Sequence, residues 1–157
     1  VSQFVSTTIN KIDAKGRVSV PAGIRQALSA QGSPNFFCFM SYNHAALEAY
    51  GQRLMDTMQA RLAELDPFTE KHDSLAGSIL GDSIEFSCDG EGRTKLPSEF
   101  LDHAGITNKV AFVGLGSKFQ LWDPSRYTEN RASGRETARS LPGILAGGVG
   151  SNGGASS

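Results

Sequence analysis

Two stretches of the 157-residue chain repeat each other. Ile12-Asp13-Ala14-Lys15-Gly16-Arg17-Val18-Ser19-Val20-Pro21 returns 76 residues later as Cys88-Asp89-Gly90-Glu91-Gly92-Arg93-Thr94-Lys95-Leu96-Pro97. Aspartate, glycine, arginine and proline keep identical spacing while the positions between them change, so the shared residues are backbone and charge requirements. A catalytic site rarely needs such a set twice. The repeat implies two small related halves, each of about 75 residues, a size at which much of the apolar surface stays unburied unless the halves pair with each other or with other copies. The expected division is a first half over residues 1–66, a second half with helices over residues 67–141, and a flexible Gly/Ser-rich tail over residues 142–157.

Residues 5–12 read as a strand ending at a tight turn, where Asp13 can accept hydrogen bonds from turn amides and Gly16 is free to take positive φ. Residues 17–20 are expected to return antiparallel on that strand, and Pro21 suits the first position of a helix with Ile24, Ala27 and Leu28 on one face. Residues 36–40 and 46–50 form a second strand pair. Leu54, Met58, Leu62 and Leu65 then recur at helical spacing, a stripe whose default place is the core, as it is for Met55 beside it. Asp66 as N-cap and Pro67 at the next position are expected to start another helix, running through Leu75 and Ile79 to Gly81. The second copy follows the same plan: strand at residues 84–88, turn, strand at 94–96, Pro97 and a helix ended by Gly105. A hairpin of residues 110–113 and 119–122 comes next, then a helix over residues 125–141 opened by Asp123-Pro124. That last helix is weakly apolar and interrupted by Gly134. Its Arg126, Arg131, Arg135 and Arg139 fall near a four-residue step, most simply a solvated face.

Net charge is −1, which by itself gives no reason for an anionic partner, yet the charge is unevenly placed. The first 28 residues hold Lys11, Lys15, Arg17 and Arg25 against Asp13, whereas residues 77–105 hold Arg93 and Lys95 against six carboxylates. The first copy is basic and the second acidic. No stretch approaches the roughly 20 apolar residues that cross a bilayer, and Cys38 and Cys88 lack metal-ligand spacing, so a cytoplasmic protein with reduced thiols and no membrane partner is expected.

In Asp-x-x-x-Arg across a turn, the carboxylate sits close enough to orient the guanidinium. An arginine held that way loses less rotamer entropy on meeting a phosphate or a guanine edge. The same pair also serves as a turn-closing ion bridge with no ligand.

Asp13-Ala-Lys-Gly-Arg17-Val-Ser-Val-Pro21, its degenerate second copy and the Phe119-Gln-Leu-Trp122-Asp123 segment together resemble the MraZ family of bacterial transcriptional regulators, over residues 4–141. The resemblance implies an α+β fold: two pseudo-symmetric AbrB-like swapped-hairpin β-barrel halves with peripheral helices. It also implies a ring-shaped homo-oligomer that binds double-stranded DNA at closely spaced short repeats upstream of the division and cell-wall gene cluster, usually as a repressor, and that is therefore cytoplasmic and nucleoid-associated. Carried over by position, the motif residues are Asp13 with Arg17 and Asp89 with Arg93. Lys15 matches the family's lysine before the motif glycine, where the second copy has Glu91. The expected DNA-contacting set is Arg17 and Lys15, assisted by Lys11 and Arg25, with Arg93 mainly closing its own turn or supporting a subunit contact. Asp13 and Asp89 orient their arginines.

Other chemistries find little footing. His44, His72 and His103 form no metal-ligand pair with one another or with a cysteine, and the glycine runs lack the Gly-Lys-Ser/Thr ending of a phosphate loop. Asp89 and Glu91 share one turn and Asp13 has no acidic neighbour in its motif, so paired acid/base catalysis is not supported. No cofactor, metal or enzymatic activity is expected. The competing account is an oligomeric β-scaffold or interaction module whose Asp/Arg turns serve stability alone.

Overall fold

The computed structural model describes residues 3–140. Among these residues eight strands and five α-helices follow one another: β1 (Thr7–Lys11), β2 (Arg17–Ser19), α1 (Ala22–Ala30), β3 (Phe36–Met40), β4 (Leu47–Tyr50), α2 (Gln52–Leu62), α3 (Glu70–Ala76), β5 (Ile84–Phe86), β6 (Arg93–Lys95), α4 (Ser98–Ala104), β7 (Lys109–Gly114), β8 (Phe119–Trp122) and α5 (Pro124–Ser140). The fold is α+β with antiparallel pairing throughout. Residues up to Pro124 form one compact unit, and those from Ser125 a second. Among the described residues, no helix is long and apolar enough to cross a membrane.

The six-stranded sheet has the order β1-β7-β8-β4-β3-β5, which reads the same from either end once the repeats are superposed. Each copy supplies a hairpin, β3–β4 or β7–β8, and the first strand of each copy lies along the hairpin of the other. A separate two-stranded ribbon joins β2 to β6, with Arg17 opposite Lys95, Val18 opposite Thr94 and Ser19 opposite Arg93. Here the structure corrects the expected hairpin. The turn does reverse the chain, but β2 makes no ladder with the segment before it, only the Ile12–Val18 bridge beside hydrogen bonds from the Asn10 side-chain amide to the Ser19 carbonyl and from the Asp13 amide to the Arg17 carbonyl. The hydrogen-bonding edge of β1 is taken by five residue pairs with β7, while the Val20 amide donates to the Gly92 carbonyl and the Leu96 amide to the Gly16 carbonyl. Local turn chemistry places a strand; the free edge it joins is decided by the rest of the chain.

The core is a chain of aromatic contacts that crosses between copies: Phe4 on Phe119, Phe119 on Phe36, Phe36 on Phe86 and Phe86 on Phe100, with centroids 4.8 to 6.0 Å apart. α1 presents Ile24, Ala27 and Leu28 to it, the three residues its spacing singles out. α4 presents Phe100 and Ala104 and ends at Gly105, whose φ of 66° is the left-handed cap a glycine supplies without strain. Between β4 and β8 the buried Glu48 faces Gln120 and gathers hydrogen bonds from Ser41, Lys118 and Gln120, with the Trp122 indole donating to Gln120 in turn. Burial raises the pKa of Glu48, but those donors together outweigh it and leave the carboxyl below its ordinary value. Cys38 is buried, Cys88 half-buried, and both thiols are free.

Two helical expectations need correction. The Asp66 side chain accepts from the Phe68 amide, an Asx turn that uses up its capping capacity, so α3 starts at Glu70 with Thr69 as its N-cap, accepting from the His72 amide. A single π-helical turn, Gly77–Gly81, follows α3. The apolar stripe of α2 is not core either: Leu54, Met55, Met58 and Leu62 are only half-buried, and neither α2 nor α3 contains a buried residue. The final helix, by contrast, starts at Asp123-Pro124 as expected and runs unbroken through Gly134. Leu141 and the expected 142–157 tail lie outside the described residues.

Candidate nucleic-acid interface

The two motif turns share one hydrogen-bond scheme. In the first, Asp13 Oδ1 accepts from the Lys15 and Arg17 amides, both at 2.9 Å, and Oδ2 accepts from Arg17 Nε at 3.0 Å. In the second, Asp89 Oδ1 accepts from the Glu91 and Arg93 amides at 2.9 and 3.0 Å, and Oδ2 accepts from Arg93 Nε at 3.2 Å. The arginine amide, ahead of any other influence, holds each aspartate below the usual carboxylate range, so both stay ionised at neutral pH. The glycines are obligatory: φ is 84° at Gly16 and 78° at Gly92.

What distinguishes the copies is the remainder of each guanidinium. The Nη2 of Arg93 is also bound by Glu91 at 2.9 Å, so two carboxylates enclose it. Arg17 has only Asp13 on its Nε side; among the described residues no group engages its Nη nitrogens, and its side chain is 40% exposed. The first turn therefore offers a guanidinium whose orientation is fixed and whose donor fork is open. That is the arrangement that a phosphate or a guanine edge can accept without further ordering cost.

Of the other expected residues, Lys15 and Lys11 lie near this turn and Arg25 lies at the second one. Lys15 stands exposed within the first turn. Lys11 is exposed at the end of β1, directly across from Lys109 on β7. Arg25 is used structurally: its Nε donates to the Val20 carbonyl at 3.0 Å, and its guanidinium lies against Gly92, about where a Cβ there would meet it. Two cations escaped the sequence reading. Lys109 stands in a strand whose partner could not be read from the chain, and Lys95 is hidden by the acidic tally of its own copy although it falls two residues after the motif arginine, on the same strand face. In the ribbon Val18 and Thr94 point inward and are buried, while Ser19 and Lys95 are exposed and Arg17 and Arg93 half-exposed on the outer face. A two-stranded ribbon of this width fits the major groove of DNA. The described residues contain no group of three or more His, Cys, Asp or Glu side chains placed to hold a metal ion.

Comparison with known proteins bears on what such a ribbon does. A family model described as "MraZ protein, putative antitoxin-like" matches residues 79–138. A protein of Pelagibacter ubique named Transcriptional regulator MraZ is 42% identical over 135 residues, 86% of this chain and 87% of that protein. Proteins of the same name from Azorhizobium caulinodans and Gluconobacter oxydans are 39% and 40% identical over 153 and 144 residues, spanning 98% and 90% of this chain and 98% and 88% of their own lengths.

Proposed function

This chain belongs to the MraZ family, and on that footing we propose that it is a transcriptional regulator that binds double-stranded DNA through the outer face of the β2–β6 ribbon. The observation that carries this is the Asp13–Arg17 pair: a guanidinium held on its Nε side with its donor fork open to solvent. Lys15 lies beside it and Lys11 nearer the periphery, while Arg25 is held at the other turn, against Gly92, and supports the ribbon. Arg93, enclosed by Asp89 and Glu91, serves its own turn.

Each turn makes few contacts, so firm binding needs several at once. Self-association supplies them: the half-exposed apolar stripe of α2, together with Phe68 at 94% and Leu75 at 50% exposure, gives a second copy an apolar surface to cover. The complete reading is a ring-shaped homo-oligomer of cytoplasmic, nucleoid-associated protein, its halves of the swapped-hairpin AbrB type, that represses transcription from tandem short repeats upstream of the division and cell-wall gene cluster. No catalytic step is part of it.

A gel-shift comparison of the gene's own upstream region with scrambled duplex of equal length, at physiological salt, tests this. Preferential retardation of the native sequence supports it. A second reading, an oligomeric β-scaffold without DNA readout, is favoured by Arg93, whose Nε and Nη2 both engage carboxylates of its own turn. Equal affinity for both duplexes, or none, in folded and assembled protein would select that reading.

A further inference from the structure

The pseudo-two-fold relation of the ribbon maps Lys15 onto Glu91, Arg17 onto Arg93 and Ser19 onto Lys95. Its two ends are therefore chemically unlike. At one end Lys15 and Arg17 of the first copy meet Lys95 of the second, three cations against the single carboxylate of Asp13. At the other, Arg93 meets Ser19 and lies between Asp89 and Glu91, and the Arg25 guanidinium rests against Gly92, two cations matched by two carboxylates. Gly16 with Leu96 and Val20 with Gly92 are the hydrogen-bonded positions flanking the ribbon, so the alternation places Arg17 and Lys95 in a pair of the other type, where side chains come closest. Lys95 is exposed, and among the described residues no carboxylate pairs with it. Like charges set directly opposite each other repel, and an anion lying across both relieves the repulsion.

We propose that the second copy reaches DNA through Lys95 rather than through its motif arginine, and that Lys15, Arg17 and Lys95 form one phosphate-binding edge assembled from both copies. The inference rests on the DNA-binding reading above and adds to it which end of the ribbon meets the backbone. The charge-balanced end, with Asp89 and Glu91, faces away from DNA. This explains how a copy with a surplus of carboxylates still belongs to a DNA-contacting surface: its acids and its useful cation lie at opposite ends of the same two strands.

The test is the salt dependence of binding to the gene's upstream duplex and to a scrambled duplex of equal length. It compares wild type, Lys95→Met, Lys95→Arg, Arg93→Met and Arg17→Ala, each checked for unchanged melting and assembly size. One phosphate contact contributes about −0.9 to the log-log salt slope, so for each engaged subunit the wild-type advantage over Lys95→Met falls about 3.5-fold between 50 and 200 mM salt. Lys95→Arg keeps the wild-type slope, and so does Arg93→Met. The loss in Lys95→Met is alike on both duplexes, because a phosphate contact is blind to sequence. A wild-type slope in Lys95→Met while Arg17→Ala weakens binding overturns the Lys95 assignment alone. A wild type that binds neither duplex removes the DNA-binding reading and this inference with it.

Discussion

Val18 lies directly opposite Thr94, both with their side chains buried, and the ribbon is symmetric about that pair. The two residues are nearly the same shape, but threonine brings a hydroxyl into the site. Among the described residues nothing hydrogen-bonds the Thr94 hydroxyl. Thr94→Val is therefore expected to raise stability by about 1 kcal/mol, and Val18→Thr to lower it by about 1 to 3 kcal/mol. Urea unfolding of the two variants measures both; a destabilised Thr94→Val would mean that the hydroxyl has a bonding role.

Arg17→Ala should weaken DNA binding and flatten the salt slope by about one, as loss of a phosphate contact does. Arg93→Ala should do markedly less, since Asp89 and Glu91 already enclose that guanidinium. Equal losses from the two, in protein that remains assembled, would reject the division of labour between the copies.

Gly16 and Gly92 both carry positive φ, but their surroundings differ. A Cβ at Gly16 would stand 2.9 Å from the Leu96 carbonyl oxygen, which is fixed in the ribbon, whereas one at Gly92 would meet the Arg25 side chain at 3.1 Å, and that chain can swing aside. Gly16→Ala should cost about 2 to 3 kcal/mol and Gly92→Ala about 1 to 2 kcal/mol, with the backbone strain common to both. Thermal denaturation of the pair checks the order, and a costlier Gly92→Ala would contradict it.

Acid should destabilise the fold through three carboxylates. The folded-state pKa values of Glu48, Asp13 and Asp89 are held below their ordinary 4.5, 3.8 and 3.8. Each thus contributes stability that is complete above its ordinary value and is lost as pH falls through the lower folded one. Melting temperature should be flat near neutrality and drop below about pH 4.5. Glu48→Gln should lower stability at pH 7 by about 1 to 3 kcal/mol, through the loss of charge-assisted bonds to Lys118 and Ser41, and should shallow the acid decline. An unchanged acid profile in that variant would show that the buried network is not titrating.

Much of this molecule could be read from its sequence, for physical reasons that differ from place to place. Asp13, Gly16 and Arg17 are dictated by local geometry, and local geometry is what residue types encode; the turn appears where those residues put it, while Pro21 is the N-cap of α1 and not its expected first residue, the helix starting at Ala22. β3 and β8 coincide with their apolar runs because the sheet buries them. Partner choice was less legible. A three-residue strand such as β2 carries no label for the edge it will join, so the ribbon with β6 stayed hidden, and with it the meeting of Arg17 and Lys95. The α2 stripe has the spacing of a core helix, but periodicity records that a face is apolar and not what covers it. Asp66 illustrates competition: as a short acceptor it could cap a helix or close a turn, and it closes the turn.

Because β1 pairs with β7 and β2 with β6, the first copy cannot finish its own architecture until strands of the second have emerged. A ribosome must release Lys95 before the strand bearing Arg17 finds its neighbour, and Gly114 before β1 is fully paired. A fragment that ends before Lys95 carries Arg17 and its Asp13 partner without the strand that completes the cationic edge.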